Sequence, residues 1–258
     1  MPELPDVEGF RRDLALSLPG RRVRGVDVAD AGVLRNTTAR SLAKALSGQR
    51  FGAPDRHGKW LILPTDGPTL LVHSGMTGRP HFVHDGGRDR YDRLVVRLDR
   101  GALHYADQRK LRGVWLARGP DEMASVLGEQ GPDALAVDLR GFRGLLAHRR
   151  GSVKSTLMDQ SVIAGLGNLL VDEICWRARV APSLPVRELD DGALRRLHQA
   201  MKRVLDAAVR HGCVPGLPRW LTGVRNDPDP SCPRCGTRLR RTRIGGRASL
   251  WCPHCQQR

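Results

Sequence analysis

The last tenth of the chain constrains it most. In CPRCGTRLRRTRIGGRASLWCPHC, Cys232 and Cys235 form one C-x2-C knuckle and Cys252 and Cys255 form another, sixteen residues further on. Two such knuckles on either side of a hairpin-length insert present four thiolates to one tetrahedral Zn²⁺. The glycine pair Gly245-Gly246 between β-prone runs suits the turn of that hairpin. Four sulfur ligands leave no place for a reacting water, so the zinc is read as structural. His254, between two ligands, is read as a bystander. Only Cys175 and Cys213 lie outside the cluster, an arrangement that favours metal over a disulfide framework.

The charge fits a polyanionic partner. A chain of 258 residues with a formal net charge of +16 favours nucleic acid before membrane. Its 38 arginines against five lysines reflect a coding bias, but bias between two bases does not explain an excess of base over acid. The tail carries seven arginines and no acidic residue after Cys232, a density that favours phosphate contact over a merely solvated face. No apolar run approaches the roughly 20 residues needed to span a bilayer, and the N-terminus lacks a signal peptide's apolar core. A soluble cytoplasmic protein is expected.

The remaining pattern is α+β. Val7, Phe10 and Leu14 recur at helical spacing near the start. From Arg22 to about Ala117, short alternating runs (KWLILP, TLLVHSG, DRLVVRLD, ALHYAD) separated by glycine turns read as antiparallel strands. From Pro120 the pattern turns helical, most clearly with Leu194, Leu197, Met201, Leu205 and Val209 on one stripe. Domains are expected at 1–118, 119–225 and 226–258. In KSTLMDQSVIAGLGNLLVDEI, a short helix from Ser155 to Met158 precedes Gly165-Leu166-Gly167-Asn168 and a longer helix. Glycines entering a helix N-terminus offer backbone N–H groups to a phosphate, and Asn168 suits a capping or phosphate role; a plain turn between packed helices is the alternative.

The chain opens MPELPDVEGF. Prolines and acids there are ordinary helix-start punctuation. A chemical reading also exists: removal of Met1 would leave Pro2 as a secondary amine, able to form an iminium, with Glu3 beside it to move protons.

Together, MPELPDVE, HGKWL, HSGMTG, DQRK, KSTLMDQSVIAGLGNLLVDEI and WCPHCQ, in this order along the whole chain, resemble the bacterial formamidopyrimidine-DNA glycosylase and endonuclease VIII family. The resemblance implies an N-terminal helix with an antiparallel β-sandwich, a helix-two-turn-helix domain and a zinc-finger hairpin, with damaged double-stranded DNA in the cleft between lobes. It implies base-excision glycosylase and abasic-site lyase activity by a monomer at the bacterial nucleoid. Pro2 would attack C1′ of the damaged nucleotide, Glu3 would shuttle protons, Lys59 would meet the adjoining phosphate, and Arg247 would hold a phosphate at the reacting site. The DNA-binding set would be His73, Met76 as the wedge into the gap, Arg88, Arg109 facing the orphaned base, Leu111, Lys154 and Asn168. Extrusion of a base demands such refilling of the stack.

Four departures from the family pattern stand out: Asp6 for glutamate, Leu111 for a phenylalanine wedge, Arg88 and Arg90 in place of a histidine-containing run, and a short segment from Gly212 to Cys232. The last implies weak action on 8-oxoguanine. Two other readings are a catalytically inactive DNA-binding protein of the same fold, and a small tautomerase with an N-terminal proline, which needs neither zinc ribbon nor +16 charge.

Overall fold

The computed structural model describes residues 2–256, so Met1 and the question of its removal lie outside the described residues. The chain forms two compact units, one of Pro2 with residues 6–128 and one of residues 3–5 with the chain from Glu129 on.

The first unit is β-rich. Its strands are Val23–Val28 (β1), Asp55–His57 (β2), Trp60–Leu63 (β3), Thr69–His73 (β4), Arg79–Val83 (β5), Asp92–Leu98 (β6), Ala102–Ala106 (β7) and Gly113–Ala117 (β8). They pair into two antiparallel sheets, ordered β1-β6-β7-β5 and β2-β3-β4-β8. Alternate residues of both sheets (Leu61, Leu63, Leu70 and Val72; Leu94, Val96, Leu103 and Tyr105) meet in one core. That is the expected sandwich, with period-2 alternation placing one face of each sheet inside. Helix α1 (Leu4–Ala15) adds Val7 and Leu14 to the same core. On its other side Glu8 is buried among Arg11, Arg12 and Arg56. Burial opposes its charge, but the hydrogen bonds of Arg11 and Arg56 prevail and draw its carboxyl down to about 2. Helix α2 (Ala39–Leu46) is capped by Thr38, whose side chain accepts from Ser41 N. Helix α3 (Pro120–Leu127) packs with Trp60, Leu71 and Ala117, so it sits with the sheets, whereas the sequence pattern groups it with the helices.

The second unit holds α4 (Leu139–Leu146), α5 (Val153–Met158), α6 (Asn168–Ala178), α7 (Asp191–His211), α8 (Leu221–Val224) and the hairpin β9 (Arg240–Ile244) and β10 (Arg247–Trp251). Asp138, Ser152 and Asp190 cap α4, α5 and α7, and Ser152 starts α5 two residues before the expected helix. The apolar stripe of α7 packs on α6, with Leu197, Met201, Val204 and Leu205 all 1 % exposed or less. No helix among the described residues is long and apolar enough to cross a membrane.

Candidate functional site

The zinc hairpin forms as its sequence dictates. Gly245 (φ 54°) and Gly246 (φ 74°) make the left-handed turn between Ile244 and Arg247, a conformation that favours glycine. Sγ atoms of Cys232 and Cys255 lie 4.0 Å apart, Cys235 and Cys252 3.6 Å, and Cys235 and Cys255 3.4 Å. Zinc–sulfur bonds of about 2.3 Å in a tetrahedron put sulfurs about 3.8 Å apart, so the four residues fit one structural zinc ion. Trp176 on α6 donates Nε1–H to Cys232 Sγ at 3.3 Å, tying the ligand to the helical core. His254 is exposed and outside the cluster.

The hairpin's basic surface divides in two. Arg234 bonds the Trp176 carbonyl and stacks on its ring, Arg241 bonds the carbonyls of Arg225 and Asp227, and Arg238 pairs with Asp229. Arg243 and Arg247 are exposed, and among the described residues their side chains make no hydrogen bond or ion pair. Arg247 therefore stands open at the hairpin turn.

Lys154 does not. It is wholly buried, its ammonium 2.6 Å from Asp172 Oδ1 and 3.2 Å from the Ala248 carbonyl. Burial pushes its pKa down while Asp172 pulls it back. The expected phosphate contact is corrected: in this structure Lys154 fastens α5 to α6 and β10. The other Asp172 oxygen takes Arg225 Nη1 at 2.7 Å and Leu250 N at 3.0 Å, and Ser249 Oγ joins Oδ1 at 2.8 Å.

The helix N-terminus after Gly165-Leu166-Gly167 is occupied, and by a carboxylate of the chain itself. Glu3 is fully buried; its Oε1 accepts from Leu169 N at 2.8 Å and its Oε2 from Leu170 N at 3.1 Å. Free N–H groups at a helix start favour an anion whatever its source. The N-cap residue is Gly167, without a side-chain cap bond, so the capping role read for Asn168 is taken by Glu3. A Cβ on Gly167 would stand 2.3 Å from the Glu3 carboxyl carbon, and one on Gly165 would stand 2.4 Å from Leu4 Cδ1. The glycines make room for residues 3 and 4. Asn168 Oδ1 is buried with no partner among the described residues; being an acceptor it offers nothing to a phosphate, which can use only the side-chain NH₂.

In the β-rich unit the structure brings Met76 and Arg109 together, with Arg109 Nη1 3.0 Å from Met76 Sδ. Met76 is 38 % and Leu111 54 % exposed, two of the few large apolar side chains left in solvent. Beneath them lies Asp107, buried, accepting from Thr77 Oγ1 at 2.5 Å, Tyr105 OH at 3.0 Å, and the backbone N–H groups of Arg109 and Lys110, each at 3.1 Å. The aspartate thus joins the loop carrying Met76 to the loop carrying Arg109 and Leu111. Lys59 follows Gly58 in the tight turn between β2 and β3 and is half-buried. Arg88 is exposed between β5 and β6. His73, expected among the DNA-binding residues, is a neutral side chain here. Burial, then Arg112 and Lys59 nearby, lowers it to about 4. Its Nδ1 accepts from Gly75 N and its ring meets Trp60 edge-on, so at neutral pH it is a neutral brace for the Met76 loop. Pro2 is half-buried just ahead of α1.

Sequence reasoning missed Asp107 and Asp172. Asp107 opens the DQRK run, but nothing local marks its Thr77 partner thirty residues earlier. Asp172 lies mid-helix among apolar residues, the one usable signal, since such a position is buried only when paired.

Three family models match: the formamidopyrimidine-DNA glycosylase N-terminal domain at residues 1–114, its H2TH domain at 129–214, and the zinc finger found in FPG and IleRS at 231–258. The formamidopyrimidine-DNA glycosylase of Alkalilimnicola ehrlichii is 34% identical over 278 aligned residues, covering 100% of both chains. That of Pelotomaculum thermopropionicum is 32% identical, covering 100% of this chain and 99% of its own. Among solved structures, Lactococcus lactis Fpg in complex with DNA containing N7-benzyl-Fapy-dG superposes with a TM-score of 0.87 at 28% identity, over 100% of each chain.

Proposed function

Since this chain belongs to the formamidopyrimidine-DNA glycosylase family, we propose that it excises oxidised or ring-opened bases from double-stranded DNA and cleaves the strand there, with Pro2 as nucleophile once Met1 is removed. The Pro2 amine attacks C1′ of the extruded nucleotide. The bond from C1′ to the base breaks and its electron pair leaves with the base, which takes a proton through Glu3. Opening of the C1′–O4′ bond, with a second proton to O4′, leaves an iminium between Pro2 and C1′. That cation acidifies the C2′ proton, whose loss expels the 3′ phosphate oxygen.

The observation that carries this reading is the seat of Glu3. Two backbone N–H groups hold its carboxylate in place, so the residue joined to Pro2 is fixed before substrate arrives, as a proton carrier must be. Lys59 and Arg247 serve the flanking phosphates, Arg88 adds a further backbone contact, Met76 fills the vacated stack, and Arg109 with Leu111 meets the orphaned base. The zinc ion holds the hairpin in shape and takes no part in the reaction. Functionally, residues 1–118 carry the chemistry, 119–225 and 226–258 hold the duplex, and the protein acts as a monomer in the cytoplasm. The segment from Gly212 to Cys232 is short, tied to α6 by Leu221 N on Glu173 and folded on itself by Thr222 Oγ1 on the Pro215 carbonyl, which supports weak action on 8-oxoguanine.

Borohydride trapping tests the assignment. Pro2→Gly should lose most of the covalent adduct while still binding abasic-site DNA, and Glu3→Gln should bind lesion DNA but release base at least a hundredfold more slowly. Normal base release by Glu3→Gln would refute the role of Glu3; an adduct that survives chemical blocking of the N-terminal amine, which Pro2→Gly by itself leaves in place, would refute that of Pro2.

A further inference from the structure

His81, Asp92 and His104 come together on the sheet β1-β6-β7-β5, away from the zinc cysteines in the chain and from every role assigned above. One ligand atom from each lies within 4.8 Å of the others. His81 Nε2 is 3.9 Å from Asp92 Oδ1, and His104 Nδ1 is 2.7 Å from Asp92 Oδ2. His81 and His104 are a cross-strand pair on β5 and β7, so their side chains share a face. Asp92 would not join them in a regular sheet. By alternation it belongs with Leu94 and Val96, which face the core. The register of β6 against β7 slips between Asp92 and Leu94, so that Asp92 stands opposite Ala106. This bulge moves the carboxylate to the histidine face.

A second observation points to a ligand. Asp92 Oδ1 is buried and has no hydrogen-bond partner among the described residues, and the Asp92 side chain is only 2% exposed. A buried carboxylate oxygen left unpaired is costly, and an ion is one of the few things that resolves it. The surrounding bonds are also those of a metal site. His81 Nδ1 faces the Arg79 carbonyl at 3.4 Å, so the tautomer that leaves Nε2 free to ligate has an acceptor beside its proton. Asp92 Oδ2 is oriented by the N–H of Asp89 at 2.8 Å. Ligand bonds of about 2.0–2.2 Å in a tetrahedron put donor atoms about 3.4 Å apart; His81 Nε2 and Asp92 Oδ1 stand 3.9 Å apart, and a small rotation of the carboxylate brings Oδ1 between the two rings.

We propose that His81, Asp92 and His104 bind a second zinc ion, its fourth position open to water. Binding moves the His104 proton from Nδ1 to Nε2, which frees Nδ1 to ligate while the ring stays neutral, and brings Asp92 Oδ1 its missing partner. Because Asp92 ends the loop that carries Arg88, the ion fastens that loop to the sheet. Two imidazoles and a carboxylate suit Zn²⁺ among the divalent ions.

The test is metal stoichiometry on the untagged full chain, equilibrated with micromolar free zinc and measured by elemental analysis. Two zinc ions per chain are expected for the wild type, and one, held by the cysteines, for Asp92→Asn and for His81→Ala. The cobalt(II) form should keep its thiolate charge-transfer band in both variants while losing the weaker visible bands of the second ion. One zinc in the wild type would overturn the proposal, and that count stands even if a variant fails to fold. Two ions retained by Asp92→Asn would place the second ion elsewhere and overturn it as well.

Discussion

Asp107 in the β-rich unit and Asp172 in the helical unit are each 1% exposed, and each carboxylate accepts four hydrogen bonds from described residues. Their donors differ. Asp107 is held by two hydroxyls and two backbone N–H groups. Asp172 is held by a hydroxyl, a backbone N–H and two cations, Lys154 and Arg225. What they hold up differs too: the loops joined by Asp107 carry the exposed Met76 and Leu111, whereas the groups on Asp172 tie α5, α6 and β10 to one another. The contrast teaches that a basic residue inside a DNA-binding motif does not reveal from its type whether it meets DNA or another part of its own chain. Burial decides.

Replacing Asp172 should be the more damaging change. Asp172→Asn strands the buried Lys154 ammonium and takes the carboxylate from half-buried Arg225, which costs about 3–5 kcal/mol, measurable by urea unfolding, and amide exchange in β10 should quicken. Asp107→Asn leaves only neutral donors short of an acceptor, at about 1–3 kcal/mol. Its greater effect should be on function, with weaker binding to lesion DNA as the Met76 and Arg109 loops lose their common anchor. If Asp107→Asn costs as much stability as Asp172→Asn, the charge of the donors is not what separates the two sites. Leu111→Ala should change stability by no more than about 0.5 kcal/mol, as expected at an exposed position, while reducing affinity for a duplex with an extruded base severalfold. Unchanged affinity would remove Leu111 from the interface and leave Met76 and Arg109 to act alone.

Local signals carried far in this chain. The cysteine spacing, the Gly245-Gly246 turn, the alternation of the β-region and the stripe of α7 each depend on neighbours in sequence, and each appears as read. The resemblance supplied the assembly of these parts. What stayed hidden depends on distant partners. The chemistry of Glu3 is legible beside Pro2, but its seat on Leu169 and Leu170 is not, since those donors lie more than 160 positions away. The sequence motif points Lys154 at phosphate because its counterion, Asp172, gives no local sign of facing it. The Asp92 bulge escaped because strict alternation predicts the opposite face.

The same distance has a consequence for how the protein is made. The first residues leave the ribosome long before α6 exists, and at about 5–20 residues per second the wait between them is on the order of ten seconds or more. During that interval residues 3–5 have no seat, and the start of the chain stays open to the cut behind Met1 that the proposed role of Pro2 requires. Once Leu169 and Leu170 arrive, Glu3 is drawn in and the terminus is committed. On the proposed role of Pro2, late docking orders two events in time, with processing ahead of burial.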